Sequence, residues 1–176
     1  GGYYWPSWKD QNRATVISTT DGSVYCDDTT SVGRIFSSRL SYSKGAMVLH
    51  MLRWVVGDSA FFARIKNYLN DPGLKNAYAH TPDLVYHLEQ SYGQSLAWFF
   101  DDWYFGQGHP IYNIHSSRYP GHEYHVQIDQ IQSHSSVNFF EMPVAVRFKG
   151  ANGDSTFVFD HTSSGQVFII NTGFEV

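Results

Sequence analysis

Residues 40–56, LSYSKGAMVLHMLRWVV, constrain the fold more than any other part of the chain. The segment runs from a serine able to cap a helix start (Ser41 or Ser43) to Gly57, a residue type that closes helices in a left-handed turn. It reads as one helix. Ala46, Met47, Val48, Leu49, Met51, Leu52, Trp54, Val55 and Val56 leave almost no polar face. A helix apolar nearly all round belongs inside a domain. Its length, and the interruptions by Lys44, His50 and Arg53, rule out a bilayer crossing. Tyr42 falls in the first turn, beside backbone N–H groups that have no helical acceptor. A phenol there either packs locally or donates a hydrogen bond to an anion formed in a cleft.

The length of 176 residues allows one large domain or two small ones. Hydrophobic residues make up 42% of the chain, enough for a packed core. A net charge of -4, with no basic stripe, excludes a nucleic-acid binder. No Lys/Arg cluster adjoins a hydrophobic segment, so no membrane attachment is expected of this chain. Cys26 is the lone cysteine, which excludes an internal disulfide and a thiolate zinc cluster. The chain starts Gly1-Gly2 with no Met and no signal peptide, and it reads as a piece of a longer protein. Its Ser/Thr/Tyr/Asn-rich, lysine-poor composition leans towards secretion and leaves the compartment open.

The remaining signals divide the chain into a helical part and a β part. Tyr3, Tyr4, Trp5, Pro6 and Trp8 form an aromatic cluster, residues 8–18 suggest a short helix, and residues 19–31 read as loop. Asp58 or Ser59 can cap a helix carrying Phe61, Phe62, Ile65, Tyr68 and Leu69, stopped by Asn70-Asp71-Pro72-Gly73. Thr81-Pro82-Asp83 is a cap, a first-turn proline and an acid at the positive end of the helix dipole. That helix ends near Gly93. Leu96, Phe99, Phe100 and Trp103 stand at i, i+3, i+4 and i+7, a helical face opened by Ser95. From Ile111 the period becomes two: Tyr124, Val126 and Ile128, then Val144, Val146 and Phe148, then Phe157 and Phe159, followed by the apolar run 167–170. Turn signals separate these runs. The expected fold class is α+β, a helical subdomain over residues 1–110 followed by a small antiparallel β-sandwich over 111–176.

Two groups of residues carry a resemblance. One is Ser41-Tyr42-Ser43-Lys44-Gly45-Ala46 with Leu49, Leu52, Arg53, Gly57 and Phe61-Phe62. The other is Phe99-Phe100, Trp103, Gly108, Pro110 and Tyr112 ahead of the strands. Over residues 34–176 the chain resembles the aminopeptidase N (membrane alanyl aminopeptidase) family of zinc metallopeptidases, the gluzincins. The resemblance implies that residues 1–110 are the helical C-terminal part of a thermolysin-like catalytic domain. It also implies a zinc ion held elsewhere by an H-E-x-x-H helix and a further glutamate, with the motif glutamate as general base. The tyrosine of the family's Y-x-K-G string donates its hydroxyl to the tetrahedral oxyanion, and by resemblance that catalytic residue is Tyr42. The chain departs from the family in one respect: it has no H-E-x-x-H, and none of its nine histidines stands four from another. The resemblance therefore places the zinc-binding half upstream, leaves this chain without metal ligands, and implies that alone it does not hydrolyse peptides. A peptide substrate and that upstream half are the implied partners.

Other candidates read as structural. His122-Glu123-Tyr124-His125 is the nearest decoy for a metal site, but strand positions three apart face opposite sides. His50 is expected to be a core histidine with one local hydrogen bond, and Lys44 a solvated cation rather than the neutraliser of an acid. Adjacent Asp101 and Asp102 diverge on a helix and do not form a dyad. Tyr3, Trp5 and Trp8 are packing aromatics before they are a substrate cleft, and Arg53 with Asp58 can pair across the helix junction. Two other readings stay open: a catalytically dead scaffold or protein-binding module of the same family, and an independent adhesion domain.

Overall fold

The computed structural model describes residues 4–176. Tyr3 and the side chains of Tyr4 and Trp5, members of the expected aromatic cluster and cleft, lie outside what is described; Trp8 is half-buried. The described chain is α+β. It divides into two compact units, one comprising described residues up to 18 and residues 22–106, the other 19–21 and 107–176.

The first unit is helical. Helix α1 spans Tyr4–Val16, starting and ending earlier than the 8–18 pattern suggests. Residues 17–31 form loop, and a single turn, α2, follows over Val32–Ile35. The segment expected to be one helix from residue 40 is in fact two pieces. Ser38–Lys44 is a π-helical turn, and α3 proper runs Gly45–Val56. The cap is Ser37, whose side-chain oxygen accepts from the Leu40 N–H at 3.2 Å; neither Ser41 nor Ser43 serves. Gly57 ends α3 as expected, at φ +86°. It also occupies the cap position of α4, Asp58–Asn70, so that Asp58 and Ser59 lie inside that helix. Helix α5 spans Thr81–Tyr92 and stops at Gly93 in the left-handed conformation. Its cap is His80 rather than Thr81. Asp83 accepts from the His80 N–H at 2.7 Å, which leaves Thr81 Oγ1 free to donate to the Tyr104 hydroxyl at 2.8 Å. Helix α6, Ala97–Phe100, runs into a second π-helical turn, Asp101–Phe105.

The core of this unit confirms the clearest helical pattern: Leu96, Phe99, Phe100 and Trp103 are all buried. Leu52, Leu88 and Phe61 join them in the interior, and α4 packs on α5. Burial of α3 corrects the reading of its sequence. Only Val48 and Leu52 are fully covered, while Leu49 and Trp54 are exposed. The helix is apolar all round, yet the described chain covers one stripe of it.

The second unit is two antiparallel sheets. Strands β1 (Pro110–Tyr119), β2 (Glu123–Gln132) and β5 (Gln166–Asn171) form one in the order β1-β2-β5, and β3 (Met142–Lys149) with β4 (Asp154–His161) forms the other. Alternation sets the register. Ile114 lies opposite Ile128, and Val126 opposite Phe168. Tyr124, Val126 and Ile128 from one sheet meet Phe148 and Phe159 from the other, and Phe159 stacks on Phe168 with centroids 4.6 Å apart. The buried Gln130 side chain acts as a strand surrogate: its amide donates to the Phe140 carbonyl at 2.9 Å and accepts from the Phe140 N–H at 2.7 Å. Gly108 enters this unit at φ +83°, where an added Cβ would sit 2.6 Å from Ser133 Oγ and 3.0 Å from the Thr20 carbonyl. Only glycine fits there.

Candidate functional site

The π-helical turn Ser38–Lys44 organises the candidate site. Ser37 starts it, and its carbonyl accepts from Ser41 N–H at 2.9 Å and from Tyr42 N–H at 3.2 Å. The second of these is the wide i→i−5 closure of a π-turn, a feature frequent at functional sites. Ser41 Oγ donates to the Arg34 carbonyl at 3.3 Å. Helix α1 lies against the turn.

Tyr42 is 59% exposed on this turn. Its phenol makes no hydrogen bond to another described residue. Leu40 and Lys44, two positions away on either side, point to the opposite face and are buried at 8% and 4% exposure. The turn is therefore anchored from below at two points and presents the tyrosine above. A donor held on a fixed backbone, with no competing acceptor among the described residues, is chemically suited to meet a charge that develops on a ligand.

Lys44 corrects the sequence reading most sharply. It is not solvated. Its Nζ donates to the Gly22 carbonyl at 2.8 Å and to the Gly106 carbonyl at 3.1 Å. Burial, and secondarily the charge of Arg39, pushes the ammonium down to about 8. Gly22 approaches at φ +83°, and a Cβ built there would fall 2.7 Å from Leu40 Cδ2. Glycine lets the carbonyl come within reach of the lysine. The signal for this burial was present in the sequence. Leu40, Lys44, Val48 and Leu52 stand at successive i+4 positions, and all four are buried. Gly22 and Gly106 carry no signal that would pair them with a lysine.

The other candidates resolve as follows. Arg53 Nε donates to Asp58 Oδ1 at 2.8 Å across the α3–α4 junction, with its guanidinium 4.9 Å from the Phe62 ring centroid. Asp101 is exposed, in the second π-turn. His50 is half-buried; desolvation, then the charges of Lys9 and Arg53, hold it below the ordinary imidazole range. His125 pairs with Glu123 at 2.9 Å and stacks on Tyr119, while His122 precedes β2 at φ +62°. The buried His161 has Nε2 3.0 Å from the Ile128 carbonyl, an interior position that no sequence pattern singled out. Among the described residues no group of three or more His, Cys, Asp or Glu side chains is arranged to hold a metal ion. None of the described helices is long and apolar enough to cross a membrane.

Comparison with known proteins gives a family match that includes this turn. The family described as "Peptidase family M1 domain" matches residues 7–103. Aminopeptidase N of Lactococcus lactis subsp. lactis is 31% identical over 80 residues, 46% of this chain and 9% of that protein. Probable aminopeptidase 1 of Saccharolobus solfataricus is 35% identical over 72 residues, 41% of this chain and 9% of that protein. Aminopeptidase M1-D of Oryza sativa subsp. japonica is 26% identical over 135 residues, covering 76% of this chain and 15% of the relative. The chain thus spans a small part of the length of each relative. Among solved structures, Legionella pneumophila aminopeptidase A in complex with aspartic acid matches 90% of this chain and 18% of its own, with a TM-score of 0.68 at 16% identity, which establishes a shared fold. With more than half of its residues matched by one family, in the helices that carry Tyr42 and Lys44, the chain belongs to peptidase family M1.

Proposed function

We propose that the protein to which this chain belongs is a zinc-dependent aminopeptidase that hydrolyses N-terminal residues from peptides. In this reading residues 1–110 are the C-terminal, helical part of its thermolysin-like catalytic domain and residues 111–176 a β-sandwich. Among the described residues no zinc ligand set forms; in this reading the ion and its ligands belong to polypeptide outside this chain, and the chain alone does not hydrolyse peptides. The apolar side chains that α3 leaves exposed, Leu49 and Trp54, support a reading in which further polypeptide of the same protein covers the helix.

The contribution of this chain is Tyr42. When the carbonyl carbon of the scissile peptide becomes tetrahedral, its oxygen gains charge, and the phenol donates a hydrogen bond to it. Because that bond strengthens as charge develops, it favours the transition state over bound substrate. The observation that carries this role is an exposed phenol, without a hydrogen bond among the described residues, on a turn held by the buried side chains of Leu40 and Lys44. In the full-length protein, Tyr42→Phe is expected to lower kcat by roughly 10²–10³ with KM little changed. Turnover equal to wild type overturns the assignment.

A further inference from the structure

Lys44 is a buried cation that forms no ion pair with a carboxylate among the described residues. Its two acceptors are backbone carbonyls from segments far apart in sequence, Gly22 and Gly106. Taking an ammonium out of water is costly. A methionine would fill the same volume without that cost, but it could not bind two carbonyls. The lysine therefore serves as a staple joining three segments: the turn beneath Tyr42, the loop at Gly22, and the end of the second π-turn at Gly106. Two neighbouring bonds brace the same assembly. Tyr25 N–H donates to the Tyr104 carbonyl at 3.0 Å, tying the two loops together. Arg34 Nη2 donates to the Ser23 carbonyl at 3.1 Å, while the Arg34 carbonyl receives Ser41 Oγ.

What the staple holds is an unusual backbone. A π-turn is rare, occurs mostly as a single turn within α-helix, and differs from it by one residue of hydrogen-bond register. Slipping by one residue rotates a side chain by about 100° around the helix axis. Such a slip would swing Tyr42 away from its direction while leaving α3 in place. We propose that Lys44 is a positioning residue for Tyr42: its hydrogen bonds to the Gly22 and Gly106 carbonyls lock the π-turn Ser38–Lys44 in register, and so fix where the phenol points. This inference rests on the reading of Tyr42 as the oxyanion donor.

The test is a double-mutant cycle in the full-length protein, with kcat and KM measured on a peptide substrate for wild type, Tyr42→Phe, Lys44→Met and the double variant. A misdirected phenol is expected to cost roughly 10- to 100-fold in kcat in Lys44→Met, with KM within about two-fold. The same substitution made in the Tyr42→Phe background is expected to cost less than about two-fold, because there is no hydroxyl left to misplace. A lysine that only supports the fold lowers activity by the same factor in both backgrounds, and that result overturns the proposal while leaving Tyr42 as the donor. An unchanged kcat in Lys44→Met also overturns it. Wild-type turnover in Tyr42→Phe removes the donor assignment itself, and the proposal with it. Should Lys44→Met not accumulate as folded protein, Lys44→Gln, which keeps a donor at shorter reach and no charge, completes the same cycle with the same criteria.

Discussion

Lys44 makes the pH dependence of stability a quantitative test of the buried staple. Its ordinary value of 10.5 falls to about 8 in the folded chain, chiefly through burial. The folded state therefore releases this proton at lower pH than the unfolded state does. Between about pH 8 and 10.5 the unfolded chain binds more protons, so in this window stability rises with pH. The full difference corresponds to about 3 kcal/mol. Below pH 8 both states carry the charge and the cost of burying it is fully present; above 10.5 both are neutral and the cost is gone. The neutral amine still has two N–H groups, one for each carbonyl, so the staple survives deprotonation. The assay is denaturant unfolding of the full-length protein and of its Lys44→Met variant from pH 7 to 10.5. Subtracting the variant removes the contribution of other tyrosines, lysines and Cys26. The wild-type advantage over the variant is expected to grow by about 2–3 kcal/mol across the window. A difference that stays flat, or shrinks with pH, refutes the burial of the ammonium and the reasoning built on it.

Two further outcomes test the β unit. Gln130→Leu places an apolar side chain of similar length at a core position, yet it removes the acceptor of the Phe140 N–H and the donor to the Phe140 carbonyl. It is expected to destabilise the sandwich by about 2–5 kcal/mol, seen as lost amide-exchange protection across β2. Gly108→Ala combines a left-handed backbone with close approach to Ser133 Oγ and the Thr20 carbonyl. It is expected to cost about 2–5 kcal/mol in unfolding free energy, and a loss below half a kcal/mol would show that the loop relaxes around the methyl group.

How much of this could be read beforehand depended on whether a residue obeyed a period. Leu96, Phe99, Phe100 and Trp103 fall on one helical face and are all buried. The strand alternation of Tyr124, Val126 and Ile128 delivers these three side chains to the core. Gly57 and Gly93 close their helices because each sits at positive φ. The failures have physical causes. Lysine is so rarely buried that its residue type outweighed the i+4 stripe from Leu40 to Leu52 on which Lys44 stands. The π-turn has no sequence period of its own, so it was merged with α3. Even chain-local caps lie one to six residues from where the sequence suggests them, because Ser37, Gly57 and His80 compete with neighbours of equal or better propensity. Residues 19–21 belong with the β unit through Thr20, whose carbonyl accepts from Ser133 Oγ at 3.3 Å, a pairing across the sequence that no local pattern announces. The packing of α3 was overestimated for a different reason. Apolar composition states that a face prefers to be covered, and in the described chain only the Val48–Leu52 stripe is. The role proposed for Tyr42 requires an accessible hydroxyl, and the residue is exposed.

The central claim is that the Tyr42 hydroxyl meets charge on a tetrahedral centre. Affinity for a tetrahedral phosphinic peptide, compared with KM for the matching substrate, measures this most directly, because the analogue carries the oxyanion geometry and the substrate does not. In the full-length protein, Tyr42→Phe is expected to weaken the analogue by roughly 10²-fold while KM stays within about two-fold. Equal affinity of wild type and variant for the analogue would contradict the account.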